Sequence, residues 1–118
     1  MEFTEELDKK ISAVLLRTGI KPHYKGYRML KDAIKLVMQD PSMIAAQSKK
    51  LYPTLGKMHG DKASAIERAI RFSLSMAADE DKLRELNNLY GFEVCETENL
   101  SNGEYLALVA ELLLNDIG

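Results

Sequence analysis

Residues 55–66 read LGKMHGDKASAI, and their spacing decides the fold. Leu55 is apolar, and Gly56 beside it is small enough for two helices to approach closely. Gly60 follows four residues later, where a turn often needs positive φ, which glycine takes without a steric penalty. Ile66 then falls where a second helix returns to the core. A small residue, a turn glycine and a buried branched residue at these offsets describe a helix-turn-helix. Short helical hairpins with no DNA partner share the pattern.

The second helix carries more information. In ASAIERAIR, residues 63–71, Ile66 and Ile70 begin an apolar series that Leu74 and Ala77 continue, so this side is expected to face inward. Ser64, Glu67, Arg68 and Arg71 recur at i, i+3, i+4 and i+7 and form an outward stripe. A recognition helix needs such a stripe because its N-terminal half lies in the major groove. There arginine donates two hydrogen bonds to guanine, and glutamate accepts from the cytosine amino group. Lys49, Lys50, Lys57 and Lys62 flank the stripe and are expected to meet phosphates, setting affinity and salt dependence rather than base choice. The competing reading is a solvated face with an i,i+4 Glu67–Arg71 pair worth ~0.2–0.5 kcal/mol.

The rest of the chain also reads as helix. Thr4 before Glu5 and Glu6 starts one, with Leu7, Ile11, Val14 and Leu15 buried and Gly19 at its end. After the loop IKPHYKGY, a second helix is expected from Tyr27 to Gln39, with Leu30, Ile34, Val37 and Met38 inward. Asp40-Pro41 is an N-cap followed by proline at the first helical position, which predicts a third helix over 41–50. A short helix, TLGKMH, precedes Gly60, and Asp61 is expected to cap the helix from Lys62 to Ala77. Asp79, Glu80 and Asp81 are expected at the N-terminus of the next helix, where the dipole favours negative charge. Leu83, Leu86 and Leu89 form its apolar stripe and Gly91 ends it. FEVCETEN reads as loop or a short extended piece. Ser101 and Glu104 fit a capping box, and the last helix buries Tyr105, Leu106, Val109, Leu112 and Leu113. The expected architecture is one compact all-α domain of six or seven short helices, containing the helix-turn-helix.

Composition bounds the partners. The 118 residues carry a net charge of only −2, but residues 21–72 hold +7 and residues 73–118 hold −8. A basic surface and an acidic one are therefore expected, with the helix-turn-helix on the basic side, unless the charges simply cluster along individual helices. No apolar run approaches the ~20 residues of a membrane span. The polar start, MEFTEELDKK, has no signal-peptide core, and the lone Cys95 excludes an internal disulfide. A soluble cytoplasmic protein is expected. His23, His59 and Cys95 lack zinc-ligand spacing, Glu93 and Glu96 disfavour a Cys95 thiolate, and no glycine-rich phosphate loop is present. No metal, cofactor or enzymatic activity is expected.

Four segments together carry a resemblance: GIKPHYKGYRMLKDAIKLV (19–37), LYPTLGKMHGDKASAIERAIRFSL (51–74), LYGFEV (89–94) and GEYLALVAELL (103–113). From about Leu7 to Leu113 the chain resembles the C-terminal DNA-binding domain of the sporulation master regulator, stage zero sporulation protein A of spore-forming Firmicutes. The resemblance implies a six-helix effector domain acting as a transcription factor on duplex DNA. It implies dimerisation on tandem boxes and contact with the sigma subunit of RNA polymerase, partly through the helix after the recognition helix. By position, Glu67 and Arg68 match base-reading residues, and Ser64 and Arg71 match the same DNA-facing surface. The Lys25-Gly26 loop and the Asp61-Lys62 turn match regions near the phosphate backbone. Two positions depart from the family: Ala65 stands where a guanine-reading arginine is found, and Phe72 where histidine is typical. These departures predict a shifted or weakened site preference. The family's phosphorylated receiver domain is absent from the chain, as in an excised domain or a stand-alone paralogue. Ala65 and the acidic C-terminal third also motivate a second reading: a protein-interaction module that kept the fold but lost specific DNA reading.

Overall fold

The computed structural model describes residues 4–117, so the Met1 and Gly118 ends of the chain lie outside the described residues. Six α-helices account for most of them: α1 Glu5–Arg17, α2 Lys25–Gln39, α3 Tyr52–His59, α4 Ala63–Asp79, α5 Glu85–Tyr90 and α6 Asn102–Ile117. The architecture is all-α, and no described residue is in a strand. α2 runs through the middle and packs against α1, α3, α4 and α6. Its inward side chains, Leu30, Ala33 and Ile34, are fully buried.

Local sequence explains most boundaries. Thr4 caps α1 by accepting from the Leu7 backbone N–H at 3.1 Å, and Gly19 leaves it at φ +91°. Gly91 closes α5 at φ +85°. The capping box at α6 is reciprocal. The Ser101 N–H donates to Glu104 Oε1 at 3.3 Å, and the Glu104 N–H donates to Ser101 Oγ at 3.1 Å. At the far end of α1, Thr18 Oγ1 donates to the Val14 carbonyl and meets the Tyr105 hydroxyl at 2.7 Å. This gives the fully buried Tyr105 of α6 a polar partner inside the core.

Three expectations need correction. Residues 41–50 do not form one α-helix: a 3₁₀ segment, Pro41–Ala46, passes into a π turn, Gln47–Leu51. Asp40 still accepts from the Ser42 N–H, but 41–50 has no apolar stripe to bury, and Met43 and Ile44 are only half-buried. Ala46 leaves helical geometry at φ −129°, ψ 43°. The Gln47 side chain, meanwhile, donates to the Ile44 carbonyl and accepts from Tyr52.

The acidic run 79–81 does not open a helix. α4 continues through Asp79, and Asp81 turns the chain at φ +56°. The Asp81 and Lys82 N–H groups then satisfy the Ala78 and Ala77 carbonyls. The buried Leu74 and Ala77 extend the α4 stripe that far. Lys21 Nζ, 2.8 Å from Glu80, offsets charge placed at the unfavourable end of the dipole. The third correction concerns Asp61. Lys62 occupies the N-cap position of α4 without a side-chain cap, while Asp61 accepts from the Lys62 backbone and pairs with Lys25.

The joint between α3 and α4 is consistent with the helix-turn-helix. Leu55 and Ile66 are fully buried, and Gly60 sits at φ +66°. A Cβ on Gly56 would lie 2.6 Å from the Asp61 carbonyl oxygen, whereas one on Gly60 would meet nothing within 4 Å. The two glycines therefore serve different ends: Gly56 permits close approach and Gly60 permits the turn. Gly60→Asn should cost ~1 kcal/mol or less, since Asn tolerates left-handed φ. Gly56→Ala should cost ~3 kcal/mol, because backbone rather than a side chain must yield. Urea unfolding of both variants measures this, and equal losses would contradict the division of roles.

Candidate nucleic-acid interface

α4 is positioned by its buried side. Ile66 and Ile70 are fully buried and Leu74 nearly so, which turns the opposite face outward. A second glycine contact fixes the helix from another direction. A Cβ on Gly26, at the start of α2, would come within 2.6 Å of the Ala69 carbonyl oxygen. Held by α3 on one side and α2 on another, α4 exposes Ser64, Arg68, Arg71 and Phe72, with Ala65 and Glu67 half-buried. Its first turn contains no acidic residue and has no side-chain cap, so the positive end of its dipole is not neutralised from within the helix.

Ion pairing sorts the basic residues of 21–72 into two groups. Lys21 pairs with Glu80, Lys25 with Asp61, Lys31 and Lys35 with Asp8, and Arg71 with Glu67. Among the described residues, Arg28, Lys49, Lys50, Lys57, Lys62 and Arg68 have no ion-pair partner. All but Arg28 lie on α3, on α4, or on the turns next to them. Arg28, exposed on the first turns of α2, was not singled out by the sequence. Its only signal there is proximity to the Lys25-Gly26-Tyr27 stretch.

The stripe 64, 67, 68, 71 is not uniform. Arg71 Nε lies 3.0 Å from Glu67 Oε2, and its Nη2 donates to Oε1 at 3.3 Å. Asn102 Nδ2 reaches the same carboxylate at 3.3 Å and the Tyr52 hydroxyl at 3.1 Å. Tyr52 in turn donates to Gln47 at 3.0 Å. Glu67 is thus tied to the π turn and to the start of α6, beside a cleft that Lys49, Arg71 and Gly103 also line. The i,i+4 pair of the competing reading is present. Asn102 is a site residue the sequence reading missed, since only folding brings it to Glu67, 35 positions away. Arg68 differs: it is exposed and lies along a shallow groove with Lys25, Ala65, Ala69 and Phe72. Lys25 and Lys62 meet around Asp61, and both help hold its carboxyl below the ordinary value, with the Lys25 side chain contributing most. The Ser42 side chain holds the Asp40 carboxyl below its ordinary value, with a lesser pull from Lys50, and Lys57 is exposed on α3.

Among the described residues no group of three or more His, Cys, Asp or Glu side chains could hold a metal ion, and no helix is long and apolar enough to cross a membrane. His59 Nε2, at the end of α3, lies 2.9 Å from Asp32 Oδ2 of α2 without making a hydrogen bond to it. Burial pushes the Cys95 thiol up, and Glu104 and Glu93 add to the effect. The second carboxylate is therefore one from α6 rather than the adjacent Glu96.

Against known protein families, the chain matches the one described as sporulation initiation factor Spo0A C terminal over residues 11–113. Those domains are DNA-binding effector domains rather than catalytic ones.

The Lys25–Asp61 pair makes the geometry testable by pH. Lys25 holds the folded carboxyl below its unfolded value of about 3.9. The pair's stabilisation is therefore complete above that pH and lost as pH falls through the lower, folded value. The melting temperature of the wild type should exceed that of Asp61→Asn near neutrality, and the gap should close on acidification. A gap that persists unchanged in acid would contradict the pairing.

Proposed function

The chain belongs to the sporulation initiation factor Spo0A C-terminal family, and we propose that it is a sequence-specific transcription regulator reading the major groove of duplex DNA with α4. The observation that carries this reading is Arg68: an exposed arginine without an ion-pair partner among the described residues, on a helix whose other face is locked into the core. Arginine at that place offers the bidentate fork that matches guanine O6 and N7. Ser64, one turn earlier, adds a hydroxyl at the same surface. Glu67 and Arg71 act as a coupled pair in this account. Once released from each other, Glu67 can accept from a base amino group and Arg71 can donate to a base or a phosphate, and Asn102 orients the glutamate. Lys49, Lys50, Lys57 and Lys62 supply phosphate contacts, with Lys25 at the α2 end. Dimerisation on tandem sites and contact with a polymerase sigma subunit follow as further proposals from the family resemblance.

The reading of the domain as a protein-interaction module rests on Ala65 and on the acidic third of the chain. Part of that charge is already engaged, since Glu80 pairs with Lys21 and Glu85 with Arg17. The acidic surface is less free than the sequence suggests, and DNA is the better-supported partner.

Fluorescence anisotropy with duplex DNA at two salt concentrations tests the proposal. Arg68→Ala should erase preference at one base pair, a discrimination of ~1–3 kcal/mol. Lys57→Ala should weaken all sequences about equally and reduce the salt slope by about 0.9. No binding to any duplex at low salt, or equal behaviour of the two variants, would overturn it.

A further inference from the structure

We propose that the apolar edge of α4, with Ala65 and Phe72 on either side of Arg68, is a subsite for the 5-methyl group of thymine in duplex DNA. This rests on α4 being the reading helix. Residues 65, 68, 69 and 72 fall at i, i+3, i+4 and i+7, so they share one face. Together with Lys25 they line a shallow groove beside the helix. Phe72 is 59% exposed, one of four large hydrophobic side chains that stand out from the surface among the described residues. An exposed phenyl ring gains free energy from any apolar contact that removes it from water.

The chemistry of the groove selects the occupant. Arg68, in the middle of the patch, has no ion-pair partner among the described residues, and no carboxylate lines the groove, although Lys25 at its rim is paired with Asp61. An anionic partner fits this arrangement. Ala65, Ala69 and Phe72 have no side-chain donor or acceptor, so they cannot read the hydrogen-bonding pattern of a base pair. The thymine methyl is the apolar group that base edges present in the major groove. Positions 65 and 72 are about 10 Å apart along the helix at 1.5 Å per residue, roughly three base steps at about 3.4 Å each. The face therefore reads a guanine flanked by thymine, with the arginine fork in the centre and an apolar contact beside it.

The test starts from a duplex recovered with this protein by selection from random DNA. Each thymine is replaced singly by 2′-deoxyuridine, which removes the methyl group and leaves the hydrogen-bonding edge intact. Wild type and Phe72→Ser are titrated against the series, with circular dichroism melting to verify that the exposed substitution leaves the fold intact. Wild-type affinity should fall about fourfold, as expected for one buried methyl group, at a thymine next to the base pair where Arg68→Ala loses its preference. For Phe72→Ser the same replacement should change affinity by less than about twofold. The proposal is overturned if wild type tolerates every deoxyuridine, if Phe72→Ser loses as much as wild type, or if the selected site has no thymine beside that pair. Any of these leaves base reading by Arg68 standing. Failure to select any bound duplex removes the reading beneath as well.

Discussion

The approach of Gly56 to the Asp61 carbonyl, closer than any side chain would allow, sets the angle between α3 and α4, and much else follows from that angle. It puts Ile66 into the core beside Leu55. It also decides which side of α4 remains outside. Gly26 of α2 repeats the device against the Ala69 carbonyl, so α4 is gripped by backbone on two sides. Interiors packed to this density do not deform continuously. A helix held this way presents its remaining side chains at fixed positions, which is what reading a base edge requires.

Electrostatics then divides labour among the cations. Lys31 and Lys35 of α2 converge on Asp8 of α1 and pull its carboxyl below the ordinary range, Lys35 contributing first. Arg17 does the same for Glu85. These exposed or half-exposed pairs add little stability individually, but each one removes a cation from the pool available to a polyanion. Among the described residues of 21–72, the cations without an ion-pair partner lie on α3, on α4 and on the turns next to them, with Arg28 on α2 as the outlying member. Because the basic excess of 21–72 is thinned selectively, the net charge of −2 says little about the surface that DNA would meet.

Elements with a strong local signal were legible in the sequence: the helices with a clean apolar stripe, as at α1, α2, α4 and α6, with side-chain caps at α1 and α6. The misreadings occurred where tertiary contact outweighed local pattern. Residues 41–50 have a proline start, but no stripe holds them to α-helical geometry. Asp79–Asp81 look like a helix start because acidic residues favour one, yet the buried Leu74 and Ala77 carry α4 past them. At the candidate site, periodicity correctly placed residues 64, 68 and 71 on the exposed side of α4, with Glu67 half-buried beside them. The i,i+4 spacing already offered the Glu67–Arg71 pair, but it could not show that Asn102 holds Glu67 as well, because that link crosses 35 positions.

The central claim is that Arg68 donates to the major-groove edge of a single guanine. Replacing that guanine by 7-deazaguanine deletes the N7 acceptor and leaves Watson–Crick pairing unchanged. In equilibrium titrations on the selected duplex, wild type should lose affinity at one guanine position, and Arg68→Ala should lose nothing further at the same position. A wild type indifferent to 7-deazaguanine everywhere, or an Arg68→Ala variant that loses as much as wild type, would contradict the account.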